Sequence, residues 1–291
     1  MVVHGRGAFV FVEGRRWFVR EVGEGAPVVF LHGIPTSSFL WRNVLPVVGR
    51  GRRAVAPDLL GFGRSDKPVR GVATVTELVQ HLARLLDRLG IQECALVGHD
   101  LGGLIAAAFL DRWPERVTHL VLSNTSFRPE RWRAGTISPL SILRAPVLGE
   151  AAIALARPWM LQLAMRPFWA DPNRLDRETL WGYWEPFTMS LRRTLLRMAR
   201  QPLFRSEDLR HWRAVVVERC TAGRPPLLLA WGACDPQFRI DEARDLARTV
   251  GRARGIAFAH ASHFLPEERP RALGRVIALF LERPDSLPLW T

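Results

Sequence analysis

Asp100 stands at the centre of Gly98-His99-Asp100-Leu101-Gly102, between the apolar run 94–97 and a segment, 101–113, that holds the small residues Gly102, Gly103 and Ala106 to Ala108. A short buried strand, a sharp glycine-flanked turn and a closely packed helix would lift the middle side chain above the end of a sheet. Here that side chain is a carboxylate where a hydroxyl more often stands. A carboxylate can attack an electrophile covalently. It suits an sp3 carbon bearing a leaving group better than an acyl ester, because attack on an ester would leave a mixed anhydride. The plainer alternative for these five residues is an aspartate that caps the following helix.

A nucleophile of this kind needs a base and an acid to orient the base. Asp235 lies in Trp231-Gly232-Ala233-Cys234-Asp235-Pro236, just past one expected strand. His263 lies in His260-Ala261-Ser262-His263-Phe264-Leu265-Pro266-Glu267, just past the last one. Alone, the first reads as a turn aspartate and the second as a loop histidine. The chain order nucleophile, acid, histidine, with each residue at a strand end, favours a catalytic set. His260 still belongs to the strand end, and His99 would point away from the elbow, so His263 is the expected base.

Three such side chains meet only if strands from distant parts of the chain end side by side. Residues 8–12 and 16–22 alternate as a hairpin around Glu13-Gly14, and 28–31, 54–56, 94–97, 117–122, 227–231 and 255–259 read as strands. Helical spacing covers 76–89, with Gly90 as its stop, then 101–113, 241–250 and 270–281. Strands alternating with helices predict a mostly parallel sheet covered on both faces. Between Asn124 and about Pro225 the pattern changes to helical segments rich in Leu, Trp and Arg, at 149–163, 177–183, 189–199 and 207–217. This predicts a first core part over 1–124, an inserted helical cap over 125–225 and a second core part over 226–291. The cap would lie over the carboxyl ends of the strands, where open sheets bind ligands.

Longer stretches carry a resemblance. His32-Gly33-Ile34-Pro35-Thr36-Ser37-Ser38-Phe39-Leu40-Trp41-Arg42 and Ala56-Pro57-Asp58-Leu59-Leu60-Gly61-Phe62-Gly63-Arg64-Ser65-Asp66-Lys67-Pro68 resemble the corresponding loops of haloalkane dehalogenases. The Asp100 elbow, Asn124-Thr125 and Tyr183-Trp184-Glu185-Pro186-Phe187 continue the likeness. It covers most of the core, thins in the cap, and points to the aspartate-nucleophile branch of α/β hydrolases that also includes epoxide hydrolases. The resemblance implies an α/β-hydrolase fold, with Asp100 as nucleophile, Asp235 and His263 as its partners, and the backbone amides of Ile34 and Leu101 as oxyanion donors. It implies no cofactor or metal and a small apolar substrate.

The departures from that pattern are equally informative. Dehalogenases hold the departing halide with the indole of a Trp directly after the nucleophile, and with either an Asn in the His-Gly-x-Pro loop or a cap Trp. This chain has Leu101 and Ile34 at the first two positions, which leaves the cap tryptophans Trp159, Trp169, Trp181 and Trp184. Epoxide hydrolases usually protonate the ring oxygen with two cap tyrosines, and Tyr183 is the one tyrosine present. Fluoroacetate dehalogenases place an Arg where Leu101 stands. The expectation is a haloalkane dehalogenase-like hydrolase working through an alkyl-enzyme ester. An enzyme opening epoxides or β-lactones is the alternative, since a tethered leaving oxygen needs no halide cradle. A non-catalytic binding protein on the same scaffold is the second alternative.

Composition bounds the remaining classes. With 291 residues, 48% of them hydrophobic, the chain can bury a large core and carry one insertion. The net charge of +13 rests on Lys67 and on arginines spread along the whole chain. No basic run interleaved with aromatics and no zinc spacing accompanies it, which argues against nucleic acid as a partner. No signal pattern and no apolar run of membrane-spanning length occurs. Cys94, Cys220 and Cys234 are few and unpatterned, which predicts a reducing, cytoplasmic setting without a metal site.

Overall fold

A computed structural model describes residues 7–68, 74–132, 139–201 and 203–290. Eight strands form one sheet in the order β1-β2-β4-β3-β5-β6-β7-β8. They are β1 (Ala8–Val12), β2 (Arg15–Val22), β3 (Pro27–Leu31), β4 (Arg53–Pro57), β5 (Cys94–His99), β6 (Val117–Ser123), β7 (Leu227–Gly232) and β8 (Arg254–Phe258). β1 pairs antiparallel with β2, β2 antiparallel with β4, and all other neighbours are parallel.

The two-residue period of the central strands feeds two cores. Val29, Leu31, Leu96, Leu227 and Leu229 join the core on one face of the sheet. Their neighbours Val28, Phe30, Val97, Leu228 and Ala230 join the core on the other. A strand buried on both faces cannot alternate polar and apolar residues, which is why these runs are continuously apolar. Helix Val75–Arg88 starts with Thr74 and Glu77 capping each other's backbone amides. Helix Leu101–Arg112 buries its first ten residues against the sheet. Pro270–Glu282 covers the opposite face.

Among the described residues between β6 and β7 there is no strand. The single helix expected over 149–163 is two helices, Leu148–Ala154 and Pro158–Met165. Pro158 lacks the N–H that a continuing helix would use and opens the second one instead. Arg177–Trp184 and Met189–Arg200 follow. The last helix before β7, Ser206–Thr221, packs on Leu101–Arg112 and Ile240–Val250, with Leu209, Trp212 and Val216 buried. It therefore helps to cover the sheet although it follows the cap helices in sequence. No helix among the described residues is long and apolar enough to cross a membrane.

Candidate active site

β5 ends at His99, and the chain turns at Asp100 with φ 55° and ψ −123°, a conformation that costs on the order of 1–3 kcal/mol. Neighbouring bonds hold it there. The Asp100 amide donates to the Asn124 carbonyl at 3.1 Å. Thr125 Oγ1 donates to the Asp100 carbonyl at 2.7 Å. The elbow helix also approaches β3 closely. A Cβ on Gly102 would lie 2.2 Å from the Leu31 carbonyl oxygen, so only glycine fits.

The Asp100 side chain is buried and its two oxygens face different partners. Oδ1 accepts the Ile34 amide at 2.8 Å, and the Leu101 amide also donates to the carboxylate. Oδ2 faces His263 Nε2 at 3.8 Å. Burial pushes the carboxyl up from its ordinary value, while His263 and the two amides oppose that rise. The two expected oxyanion donors therefore meet on the carboxylate itself. The loop that carries Ile34 is fixed from behind. His32 Nδ1 donates to the Gly33 carbonyl at 2.9 Å and its Nε2 accepts the Leu59 amide at 3.0 Å.

His263 Nδ1 donates to Asp235 Oδ2 at 2.9 Å. Asp235 also accepts Asn124 Nδ2 at 2.8 Å and the Gln237 and Phe238 amides at 2.8 and 3.1 Å, so both of its oxygens are occupied. Burial disfavours the imidazolium, but Asp235 and then Asp100 outweigh it and hold His263 above the ordinary histidine value. The rings of Phe168, Phe238 and Phe264 surround His263 with centroids 5.9, 5.6 and 5.3 Å away. On that side the surroundings of the histidine are therefore apolar.

The cap candidates separate sharply. Trp159 and Trp181 are exposed, and Trp184 is half-buried and stacked on Phe187. Trp169 is buried, stacked on Phe264 with ring centroids 5.4 Å apart, and its indole N–H has no hydrogen-bond partner. Tyr183 is buried and donates its hydroxyl to Glu267 Oε1 at 2.5 Å. Burial, reinforced by Glu267, pushes that phenol well above its ordinary value. Among the described residues no cluster of His, Cys, Asp and Glu is arranged to hold a metal ion.

Several residues at the site had no assigned part in the sequence reading. His99, set aside as a rival base, lies with its ring centroid 4.8 Å from that of His263 at a tilt of 57° and donates Nε2–H to the His263 carbonyl at 2.7 Å. Burial holds its pKa far below the ordinary value, so it is a neutral prop. Glu267 accepts both Tyr183 and Arg42. Glu268 Oε2 accepts the Ser262 amide at 2.6 Å, while its Oε1 accepts the cap amide of Ala170 at 2.7 Å. Two acids directly after the apolar run Phe264-Leu265-Pro266 were the available signal, because buried carboxylates need specific partners.

This geometry, an acid-histidine pair facing a carboxylate on a strained elbow at the end of a mostly parallel sheet, defines a class. The alpha/beta hydrolase fold profile matches residues 26–270, and the chain belongs to that family. Within it, the chain is 29% identical to a haloalkane dehalogenase of Mesorhizobium japonicum, over 91% of this chain and 87% of that one. Haloalkane dehalogenase 2 of Mycobacterium tuberculosis is also 29% identical, over 93% and 91%. The crystal structure of a putative ancestral haloalkane dehalogenase superposes with a TM-score of 0.81 at 28% identity, covering 96% of this chain and 99% of that one. The epoxide hydrolase CorEH has the same fold, with a TM-score of 0.77 at 23% identity, covering 95% and 98%.

Proposed function

We propose that this chain is a haloalkane dehalogenase-like hydrolase that uses Asp100 as a covalent nucleophile on a small apolar substrate. The observation that carries this reading is the division of labour in one carboxylate. Oδ1 is held by the Ile34 amide and the Leu101 amide also reaches the carboxylate, while Oδ2 faces His263 and is the oxygen assigned to attack. Oδ2 bonds to an sp3 carbon, and the carbon–leaving-group bond breaks with its electron pair on the leaving atom. His263, held by Asp235, then takes a proton from water, and the hydroxide adds to the Asp100 carboxyl carbon. Negative charge collects on Oδ1, which the Ile34 amide already holds, with the Leu101 amide also at the carboxylate. Collapse breaks the bond from that carbon to Oδ2, His263 returns the proton to the departing alkoxide, and the new carboxyl, one oxygen now from water, releases its remaining proton to solvent. The product is an alcohol, and no cofactor or metal takes part. Three unpaired cysteines support a reducing, cytoplasmic setting. We place the core in 1–124 and 226–291 and the insertion in 125–225, with its last helix, Ser206–Thr221, packed on the core and the cap proper formed by the helices before it.

For the leaving group, Trp169 is the cap residue that fits, since a buried indole N–H without a partner favours an anionic acceptor. Opening of an epoxide or β-lactone is the second reading, favoured by the single remaining donor, although Tyr183, committed to Glu267 and pushed well above its ordinary value, is a poor ring-opening acid. A tethered leaving oxygen needs fewer donors than a free halide. A panel of bromoalkanes, epoxides and β-lactones with product identification separates the two. His263→Phe should still alkylate and then stall, so intact-mass and peptide analysis should find the substrate residue esterified on Asp100. In a single turnover in ¹⁸O-water the label should enter the carboxylate and not the alcohol. Undiminished turnover by Asp100→Ala would overturn the mechanism. Absence of turnover across the panel would leave a binding protein on a hydrolase scaffold.

A further inference from the structure

Large apolar side chains that face water are concentrated in the cap. Val147, Leu148 and Leu155 flank the short helix Leu148–Ala154, and all are more than half exposed. Trp159 and Leu163, equally exposed, lie one turn apart on Pro158–Met165 and so share a face. Trp181 is exposed on Arg177–Trp184, which packs against that helix. Across residues 145–165 the only charged side chains are Glu150 and Arg157. A concentration of this size on a surface marks a contact with something apolar.

Charge indicates what covers it. Arg157 and Arg166 stand at the two ends of Pro158–Met165, both exposed, and among the described residues neither side chain has a partner. Glu150, the one acid within residues 145–165, already pairs with Arg200 at 2.5 Å. A second copy across a two-fold axis would bring the two copies of Arg157 and Arg166 to one face with only the two Glu178 carboxylates beside Trp181 to meet them, a net repulsion. An anionic bilayer offers phosphates to the arginine forks and an acyl boundary to Trp and Leu. The net charge of +13 adds a long-range attraction.

We propose that the cap docks reversibly on anionic phospholipid bilayers through Val147, Leu148, Leu155, Trp159, Leu163 and Trp181, with Arg157 and Arg166 on lipid phosphates. The contact is peripheral, and it stands independently of the reaction assigned to the site.

Co-sedimentation of the full chain with large vesicles tests this, using phosphatidylcholine alone and an equal mixture with phosphatidylglycerol, at low and high salt. Binding should require phosphatidylglycerol and weaken with salt. Leu155→Ser with Leu163→Ser should lower the partition coefficient about tenfold. Arg157→Ser with Arg166→Ser should lower it on the mixed vesicles alone. All four positions face solvent, so circular dichroism should match wild type. Equal binding by the leucine pair would show adsorption by bulk charge and overturn the proposal. Failure to bind mixed vesicles would also overturn it. If such a protein were a dimer that the leucine pair dissociates, the occupant would be a second copy.

Discussion

His263 is buried between two carboxylates, and it has to be neutral to take a proton from water. Asp235 and Asp100 raise its pKa against the opposing effect of burial. Its basic form is gained as pH rises, and it acts only after alkylation, so the acid limb should appear in kcat, set by Asp235 because the Asp100 charge is consumed in the ester. Asp235→Asn removes the nearest negative charge, so the limb should move to lower pH while kcat falls by about two or more orders of magnitude. A limb that stays in place would show that another group sets it. At the leaving-group end, Trp169→Phe keeps the stack on Phe264 and deletes the free N–H. Bromide release should fall by about ten- to a hundredfold if the indole meets the halide, the value of one hydrogen bond to a charged acceptor. Unchanged release would remove Trp169 from the site.

Elements differ in how far they could be read in advance. Apolar runs bounded by glycine or proline announce strands buried on both faces, and the observed strands differ from expectation by one or two end residues that pair across the ladder, such as His99 with Ser123. Asp100, Asp235 and His263 were legible because each follows such a strand directly. The cap was not legible in the same way. Its side chains take their roles from partners far along the chain, as Tyr183 does from Glu267, 84 residues later. Exposure of Trp159 and burial of Trp169 depend on which helix face meets the core, and a mixed Leu-Trp-Arg pattern does not encode that. Glu268 belongs to this hidden layer. It joins the amide preceding His263 to the cap amides of Ala170 and Asp171. Glu268→Gln turns one of those contacts into donor against donor, at about 1–3 kcal/mol. Thermal stability should fall and kcat should fall more than KM changes, with Glu268→Asp restoring part of kcat. A variant that lost stability alone, with kcat intact, would make Glu268 a cap fastener and nothing more.

At the scale of the molecule, the insertion meets the core through buried ionic contacts. Where the chain leaves β6, Ser126 donates its hydroxyl to Glu242, on the core helix Ile240–Val250. Arg131 Nε lies 3.0 Å from the other carboxylate oxygen of Glu242, and the Trp132 indole donates to the Ser126 carbonyl at 2.7 Å. Burial nevertheless pushes the Glu242 carboxyl up to about 7, with Asp235 adding to the rise and Ser126, Arg131 and Arg128 opposing it. The folded protein therefore holds a proton there that the unfolded chain releases near pH 4.3. The stability linked to that proton is complete below the unfolded value and is lost as pH rises towards 7. Glu242→Gln keeps the shape and removes the titration. Relative to wild type, its Tm should be higher at pH 8 than at pH 5, by about 2–4 °C for each kcal/mol of linkage. Calorimetry at the two pH values reads this directly. A difference between variant and wild type that does not change with pH would mean that the carboxylate stays charged throughout, with Arg131 and Ser126 fully compensating its burial at the base of the cap.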